Sequence, residues 1–173
     1  MSQQFYAPSF RTATVGDVPL ELRFIKELAA YERLANQVVA DEATLREWIF
    51  EKRSAEVVFA MEGDHEVGFA LFFYNFSTFL GRAGLYLEDL YVMPSYRGRG
   101  YGKALLAHLA HIAAARGCGR MEWVCLDWNQ PSIDFYKSLG AVSMDGWSTY
   151  RLAGQSLQHV AAMDAVGAPD ETK

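Results

Sequence analysis

One stretch near the middle of the chain joins an apolar strand, a glycine-rich turn and the start of a helix. It runs from Leu87 to Leu109, and Gly98, Gly100 and Gly102 recur in it at every second position. Glycine lets backbone N–H groups approach a ligand closely. The first N–H groups of a helix lack intrahelical partners and carry a partial positive charge. The stretch therefore predicts an anion cradle, most naturally for a phosphate or pyrophosphate.

The spacing of the glycines excludes two familiar phosphate motifs. A dinucleotide fingerprint starting at Gly98 needs its third glycine where the chain has Lys103. A P-loop needs Ser or Thr after that lysine, but Ala104 follows it. A merely solvated surface turn is disfavoured because three glycines at the start of an amphipathic helix destabilise it. The pattern that remains is Arg97-x-x-Gly-x-Gly, placed after a strand and opening a helix.

Strand and helix patterns alternate along the chain. Helices are predicted at residues 17–31, 41–51, 100–116, 131–139 and 156–164, and strands at 10–13, 56–61, 66–75, 85–93 and 120–126. A loop is expected at 75–84, and one or two closing strands at 143–152 around an Asp145-Gly146 turn. The alternation after an early hairpin indicates a mixed α/β fold. We expect one domain over residues 1–154 and a C-terminal tail at 155–173 with a short helix and a frayed end.

Composition excludes several other classes of protein. The chain is 51% hydrophobic, which argues against disorder, and no apolar run approaches the ~18 residues of a membrane span. The N-terminal residues lack the charged and apolar regions of a secretion signal. The net charge of −5 argues against a nucleic-acid partner and mildly favours a cationic substrate. Cys118 and Cys125 lack metal-ligand spacing, so we expect no metal and reduced thiols in a cytoplasmic protein.

The loop pattern resembles the acetyl-CoA pyrophosphate loop of the GNAT N-acetyltransferases. The likeness extends from about Phe10 to Leu152. Residues 86–94 and 126–141 resemble the diamine (spermidine/spermine) acetyltransferase branch, and residues 75–82 with the Asp-Trp-Asn-Gln segment resemble its thialysine-acetylating members. This resemblance implies the GNAT fold. In that fold helices flank a mostly antiparallel central sheet, which splays near its middle to admit the pantetheine arm of acetyl-CoA.

The resemblance also implies which residues bind the cofactor. The strand before the loop would pair its backbone with the pantetheine amides as if they were another strand. The loop would bind the pyrophosphate, and Asn129 would contact the pantetheine, although an N-cap role fits its position equally well. The expected set is Leu90, Tyr91, Val92, Arg97, Gly98, Arg99, Gly100, Tyr101, Gly102, Lys103, Asn129 and Ser132.

Two residues are candidates for the acetyl-transfer chemistry. An alkyl ammonium has a pKa of about 10.4, so a base must remove its proton before the amine can attack. Glu88 lies within an apolar strand, where an acid needs a partner or a chemical role. An ion pair with Arg82 is the structural alternative. Tyr136 could be an ordinary core residue, but the resemblance implies that it is the general acid for the departing thiolate.

The substrate residues follow from the resemblance and are less constrained. Asp89 could either cap a loop or contact the substrate. Glu32 and Asp145 could each be a surface carboxylate or an amine ligand. The polyamine enzymes carry an acidic and an aromatic residue where this chain has Thr78 and Leu80. That departure favours a short diamine or a lysine-like amino acid over spermidine and spermine. The expected substrate set is Tyr31, Glu32, Glu88, Asp89, Glu122, Trp123, Val124 and Asp145.

These observations together predict an acetyl-CoA-dependent N-acetyltransferase that acts directly on a small primary amine. Two alternatives stay open, a protein or peptide acetyltransferase and a non-catalytic acyl-CoA-binding module. The resemblance further implies a homodimer. No nucleic acid, membrane or metal partner is expected. The sequence does not identify the physiological amine.

Overall fold

The computed structural model describes residues 8–164. They fall into two compact units, one ending at Trp128 and the other starting at Asn129. The first unit contains a five-stranded sheet and three helices, and the second contains two helices. No helix among these residues is long and apolar enough to cross a membrane.

The first unit alternates strands and helices in chain order. Short 3-10 turns lie at Val15–Asp17, Ala35–Gln37 and Pro94–Tyr96. The main elements are β1 (Ser9–Thr12), α1 (Val18–Tyr31), α2 (Glu42–Leu45, continued by a π-helical turn at Arg46–Glu51), β2 (Glu56–Glu62), β3 (His65–Ser77), β4 (Arg82–Val92), α3 (Tyr101–Ala115) and β5 (Met121–Glu122).

The strands lie side by side in sequence order. Each neighbouring pair from β1 to β4 is antiparallel, and β5 pairs with β4 in parallel. Helices and a mostly antiparallel sheet confirm the expected mixed α/β class. The described part of the second unit contains α4 (Gln130–Ser138) and α5 (Gly154–Asp164).

An aromatic cluster forms the core between α1 and the sheet. The Phe24 ring lies 5.6 Å from the ring of Phe69 and 5.5 Å from that of Tyr91, and all three side chains are almost fully buried. Ile49 and Phe59 complete the packing. Burying one such side chain stabilises the fold by about 1.5–3 kcal/mol, so this cluster fixes α1 against the middle of the sheet.

A β-bulge interrupts the pairing of β3 with β4. Leu71 lies opposite Asp89 and Phe72 lies opposite Leu87, which leaves Glu88 as the extra residue. On its other edge, β4 pairs with β5 only at Leu85 and Tyr86. Within the described sheet, residues 87–92 therefore have a strand partner on one side only. This open edge is the splay that the resemblance implied.

Three predictions about secondary structure were wrong. The β3–β4 hairpin extends to Ser77 and Arg82, so the loop expected at 75–84 shrinks to a turn at 78–81. The strand expected at 120–126 is only two residues long, because β4 bulges directly after its pairing with β5. Residues 143–152 form no strand, since no described segment pairs with them; the Asp145-Gly146 turn is confirmed.

A buried carboxyl group on α1 takes no part in these interactions. Glu21 is completely buried, and neither of its side-chain oxygens has a hydrogen-bond partner among the described residues. Arg11, the nearest cation, donates instead to Asp17 and Glu66. Burial, reinforced by the charge of Asp17, raises the pKa of Glu21 to about 7. At neutral pH the carboxyl group of Glu21 is therefore partly protonated and partly charged.

Glu21→Gln tests this linkage. The folded protein holds the proton up to about pH 7, whereas an unfolded Glu releases it near pH 4.3. The carboxyl's contribution to stability is therefore complete below about pH 4 and is lost as the pH rises through 7. We expect the wild-type free energy of unfolding to fall by up to about 3 kcal/mol across this window from this group alone.

Urea unfolding at a series of pH values measures the slope. The Gln variant, which cannot titrate, should lose that decline between about pH 4 and 7. Equal slopes for the two proteins would contradict the raised pKa.

Candidate active site

The glycine-rich loop lies between a 3-10 turn and the first turn of α3. Gly98 and Gly100 have φ angles of +72° and +88°, a region that side-chain-bearing residues adopt only with strain. Gly100 is the N-cap of α3, and no side chain caps the helix start. The first turn contains no acidic residue. These features fit a diphosphate, because the uncapped N–H groups and the helix dipole both favour an anion there.

The arginines of the loop are already engaged within the protein. Arg97 Nε donates to the Val92 carbonyl over 2.9 Å, and its guanidinium lies 4.7 Å from the centre of the Tyr31 ring. Arg99 pairs with Glu62, which also accepts from the Tyr101 hydroxyl over 2.8 Å. Both arginines thus fasten the loop to neighbouring elements, and the backbone and exposed Lys103 are left to face an anion.

The strand that leads into the loop is held from both sides. The Tyr91 hydroxyl donates to Glu27 over 2.7 Å, and burial, followed by this hydrogen bond, raises the pKa of Tyr91 to about 12. At Gly68 of β3, a Cβ atom would lie 2.5 Å from the Tyr91 carbonyl oxygen. Gly68 therefore permits the close approach of β3, and the open edge at Leu90–Val92 stays straight beside it.

Four carboxylates are linked by electrostatic interactions, either directly or through Cys125; Glu32, Glu88, Asp89 and Asp127 are named the acidic cluster below. Burial raises the pKa of Asp89 to about 7, with further contributions from the charges of Glu88 and Glu32. Burial also raises the pKa of Glu32. The charges of Glu32 and Asp127 add to burial in raising the pKa of the Cys125 thiol. Glu32 is thus the common neighbour that links Asp89 to the segment containing Asp127.

The bulge changes the expected environment of Glu88. The sequence predicted this residue within a buried strand, but it is exposed, whereas Asp89 is partly buried. The reason is that Glu88 is the unpaired residue of the bulge. No salt bridge joins it to Arg82 among the described residues, so the structural alternative for Glu88 has no support.

An aromatic wall borders the acidic cluster. The rings of Tyr31 and Trp128 lie 6.3 Å apart, and the guanidinium of Arg33 lies 5.0 Å from the centre of the Trp128 ring. Arg33 follows α1 with a φ of +63°, and the N–H of Leu34 donates to the Ala29 carbonyl in a Schellman-type helix end. A residue other than glycine in this conformation costs about 1–2 kcal/mol.

The strand expected to line the acceptor channel contributes less than predicted. Glu122 accepts from Asn75 Nδ2 over 2.9 Å and forms an ion pair with Arg120. Val124 is exposed and Trp123 is partly buried. The carboxylate of Glu122 is therefore committed to neighbouring side chains rather than to the acidic cluster.

The remaining candidate residues belong to the second unit. Asn129 precedes α4 and is buried, but its side chain does not cap the helix. Ser132 and Tyr136 are partly buried on α4, and the Tyr136 ring lies 5.2 Å from that of Phe135. Asp145 lies in the exposed turn and accepts a hydrogen bond from the Ser143 hydroxyl.

Sequence reasoning did not identify three residues of the site. Trp128 and Asp127 lie in the Asp-Trp-Asn-Gln segment, which supported the resemblance without being assigned a role. Arg33 directly follows the predicted Tyr31-Glu32 pair. Its left-handed backbone leaves no sequence signal, since glycine is the residue expected there. No group of three potential metal ligands occurs in residues 8–164.

Comparison with known proteins supports this arrangement. The chain is 37% identical over 163 residues to the thialysine N-epsilon-acetyltransferase of Bos taurus, an alignment that covers 87% of this chain and 95% of that protein. It is 32% identical to an L-ornithine N5-acetyltransferase of Arabidopsis thaliana, with coverage of 87% and 86%.

A solved structure gives the same result for the fold. An integron cassette protein from the mobile metagenome of V. cholerae superposes with a TM-score of 0.75 and 28% identity, over 90% of this chain and 98% of that one. The model of the Acetyltransferase (GNAT) family matches residues 23–141. The chain belongs to the GNAT acetyltransferase family.

Proposed function

We propose that this protein transfers the acetyl group of acetyl-CoA directly to a primary amine of a small diamine or a lysine-like amino acid. The observation that carries the proposal is the pair of partly buried carboxylates Glu32 and Asp89, of which Asp89 lies on the strand that leads into the glycine-rich loop. Burial raises the pKa of both, and the charges of Glu88 and Glu32 add to it at Asp89. Such a pair attracts a cation, because an ammonium relieves the repulsion between the carboxylates. The names of the relatives, which denote side-chain amines of thialysine and ornithine, agree with such a substrate.

Acetyl-CoA binding would rest mainly on backbone groups. The open edge of β4 at Leu90–Val92 offers strand-type hydrogen bonds to the two pantetheine amides. The N–H groups from Gly98 to Lys103 would accept the diphosphate at the helix start. Asn129 and Ser132 stay candidates for cofactor contacts on the family resemblance. The cofactor supplies the activated acyl group, and the residues of this chain orient it.

The acidic cluster would bind and deprotonate the amine. An ammonium between Glu32 and Asp89 would restore the charged form of Asp89, whose pKa of about 7 lies near the operating pH. Glu88, exposed beside it, can accept the ammonium proton directly or through water. The neutral nitrogen would then attack the thioester carbon, so that the N–C bond forms and the C–S bond breaks. Tyr136 would give its hydroxyl proton to the sulfur of the leaving group. The nitrogen would release its surplus proton to solvent as the amide forms, and Tyr136 would regain a proton from solvent.

The turn between β3 and β4 favours a short substrate. Thr78 and Leu80 occupy it, and both are exposed without offering a charge. A second distant ammonium, as in spermidine or spermine, would gain no ion pair from these two residues. A protein or peptide acceptor is not favoured, because relatives such as the thialysine and ornithine acetyltransferases are named for small amines.

A substrate panel tests the proposed function. Purified protein with saturating acetyl-CoA should acetylate at least one of thialysine, lysine, ornithine and short diamines, and should turn over spermine poorly. Mass spectrometry of the products identifies the acetylated nitrogen. Binding of acetyl-CoA without acetylation of any amine would instead support the non-catalytic module.

Tyr136→Phe tests the general acid. Loss of a positioned proton donor typically lowers the rate by roughly 10²–10⁴-fold, while the ring and its contact with Phe135 are retained. We expect kcat to fall in this range and the acetyl-CoA dissociation constant to change less than about threefold, because no cofactor contact is removed. Phe135→Leu is a control for packing. A Tyr136→Phe protein with wild-type kcat would contradict the assignment.

The pH dependence of kcat/KM distinguishes the two adjacent acids. Asp89 is neutral below its pKa of about 7 and charged above it. An activity that needs its carboxylate should therefore rise as the pH passes through 7, before the further rise caused by deprotonation of the amine near pH 10. Asp89→Asn should abolish the rise of kcat/KM near pH 7. Glu88→Gln should lower kcat and move the midpoint of that rise to a slightly lower pH. A rise near pH 7 that survives in Asp89→Asn would exclude this role.

We further propose that the protein is a homodimer and that the second unit contributes to the interface. Several large apolar side chains of this unit are exposed, including Val142 at 82%, Trp147 at 74% and Tyr150 at 93%. Contiguous exposed apolar residues are typical of interaction sites. The free thiols of Cys118 and Cys125 are compatible with the expected cytoplasmic location, which imaging of a tagged protein would test.

Sedimentation equilibrium tests the dimer. We expect about twice the chain mass of 19.4 kDa for the wild type. Trp147→Asp should weaken the dimer at least about tenfold, because it places a charge in an apolar contact. Val39→Asp supplies the matched control, since Val39 is 92% exposed in the first unit. A monomeric wild type at micromolar concentration would contradict the proposal.

A further inference from the structure

A cationic side chain lies beside the acidic cluster at the end of α1. Arg33 directly follows Glu32, and its guanidinium lies 5.0 Å from the centre of the Trp128 ring. The same ring lies 6.3 Å from that of Tyr31. The aromatic wall therefore carries a positive group next to a set of negative ones. The site therefore contains a positively charged group as well as negatively charged ones.

The fold does not require the side chain of Arg33. Its backbone has a φ of +63° at the residue after the helix cap, where glycine is preferred. The two hydrogen bonds of this helix end are made by backbone groups, from the N–H of Arg33 to Ala30 and from that of Leu34 to Ala29. Glycine would make the same two bonds without strain. A strained residue that the local structure does not need indicates a function for its side chain.

No carboxylate of residues 8–164 forms a salt bridge with Arg33. Five other arginines have such partners, at Arg11, Arg23, Arg99, Arg116 and Arg120, whereas Arg46, Arg53, Arg82, Arg97 and Arg151 resemble Arg33 in having none among the described residues. The Arg33 guanidinium lies over the Trp128 ring, 5.0 Å from its centre, and an arginine so placed can present the N–H groups along its edge to a ligand. A planar carboxylate binds such an edge with two parallel hydrogen bonds.

We propose that Arg33 binds the carboxylate of an amino-acid substrate while the acidic cluster holds the amine that is acetylated. This inference rests on the proposed function and deepens it. Among small amines it selects a zwitterion with a carboxylate and a distal amine. A simple diamine would bring a second ammonium towards the guanidinium, which is repulsive. Arg33 is thus a specificity-determining residue, and the chemical step does not need it.

Pairs of substrates that differ only in the carboxylate measure this selectivity. L-Ornithine is compared with 1,4-diaminobutane, and thialysine with its decarboxylated analogue. We expect the wild type to prefer the amino acid of each pair in kcat/KM by roughly 10–100-fold, the effect of one charge-assisted bidentate contact. The preference should arise in KM, because the carboxylate is remote from the bond that forms.

Arg33→Gly removes the guanidinium and relieves the backbone strain. The ratio of kcat/KM for the amino acid to kcat/KM for its decarboxylated partner should fall by roughly 10-fold or more. The kcat for the amino acid should change little, and the diamine should be used equally well or better. Arg33→Lys should retain part of the ratio, since it keeps the charge without the planar fork. Arg53→Gly is the matched control, because Arg53 is also an exposed arginine with a positive φ, of 54°, in the first unit. It should leave the ratio unchanged.

Thermal unfolding separates selectivity from folding. Arg33→Gly should melt no lower than the wild type, because glycine is favoured at this helix end. Equal losses for both members of each pair, or an unchanged ratio, would overturn the role of Arg33 while leaving the amine acetyltransferase in place. A wild type that prefers the diamines would do the same. A wild type that acetylates no amine at all would overturn the proposed function and this inference with it.

Discussion

The β-bulge at Glu88 is the constraint on which the site depends. One extra residue in β4 interrupts its pairing with β3, so that Leu71 lies opposite Asp89 and Phe72 lies opposite Leu87. The pairing of β4 with β5 ends at Tyr86, two residues before the bulge. Beyond it, residues 87–92 have a strand partner on one side only within the described sheet. Glu88 is exposed at the bulge, and Asp89 is partly buried beside it. The open edge and the two acids therefore lie on the same stretch of β4.

The charged form of Asp89 is unfavourable in the fold without a ligand. Burial and the neighbouring charges of Glu88 and Glu32 raise the pKa of Asp89 to about 7, and such a shift lowers the stability of the charged fold. In the function proposed above, an ammonium would reverse these contributions by pairing with the carboxylates, so its binding and the stability of the fold would be linked. Glu21 shows the same raised pKa, also to about 7, but it is enclosed within α1 and the core. Access by a cation, rather than the pKa alone, distinguishes a binding group from a buried one.

Sequence reasoning was reliable where the backbone itself determines the outcome. The glycine spacing identified the loop, because positive φ angles at Gly98 and Gly100 favour that residue. The bulge could not be predicted, since the apolar pattern on both sides of Glu88 continues without a break and the extra residue is evident only from the partner strand. The strands expected near the C terminus failed for a related reason. Alternating apolar residues become a strand only when another segment pairs with them, and the described chain offers none at residues 143–152.

The cofactor is easier to infer from the sequence than the substrate is. The reason is that backbone groups would bind the cofactor, whereas side chains would bind the substrate. The diphosphate cradle uses N–H groups, and its two arginines serve to fasten the loop to Val92 and Glu62. Such a site tolerates many side chains, so a short motif suffices to identify it. The proposed amine site would instead be built from side chains on three separate segments, at Glu32, Asp89 and Trp128, and one substitution there would change the charge of the preferred ligand. The residues proposed to decide substrate selectivity therefore lie outside recognisable sequence motifs. Arg33 is an example, because only its backbone conformation in the structure singles it out.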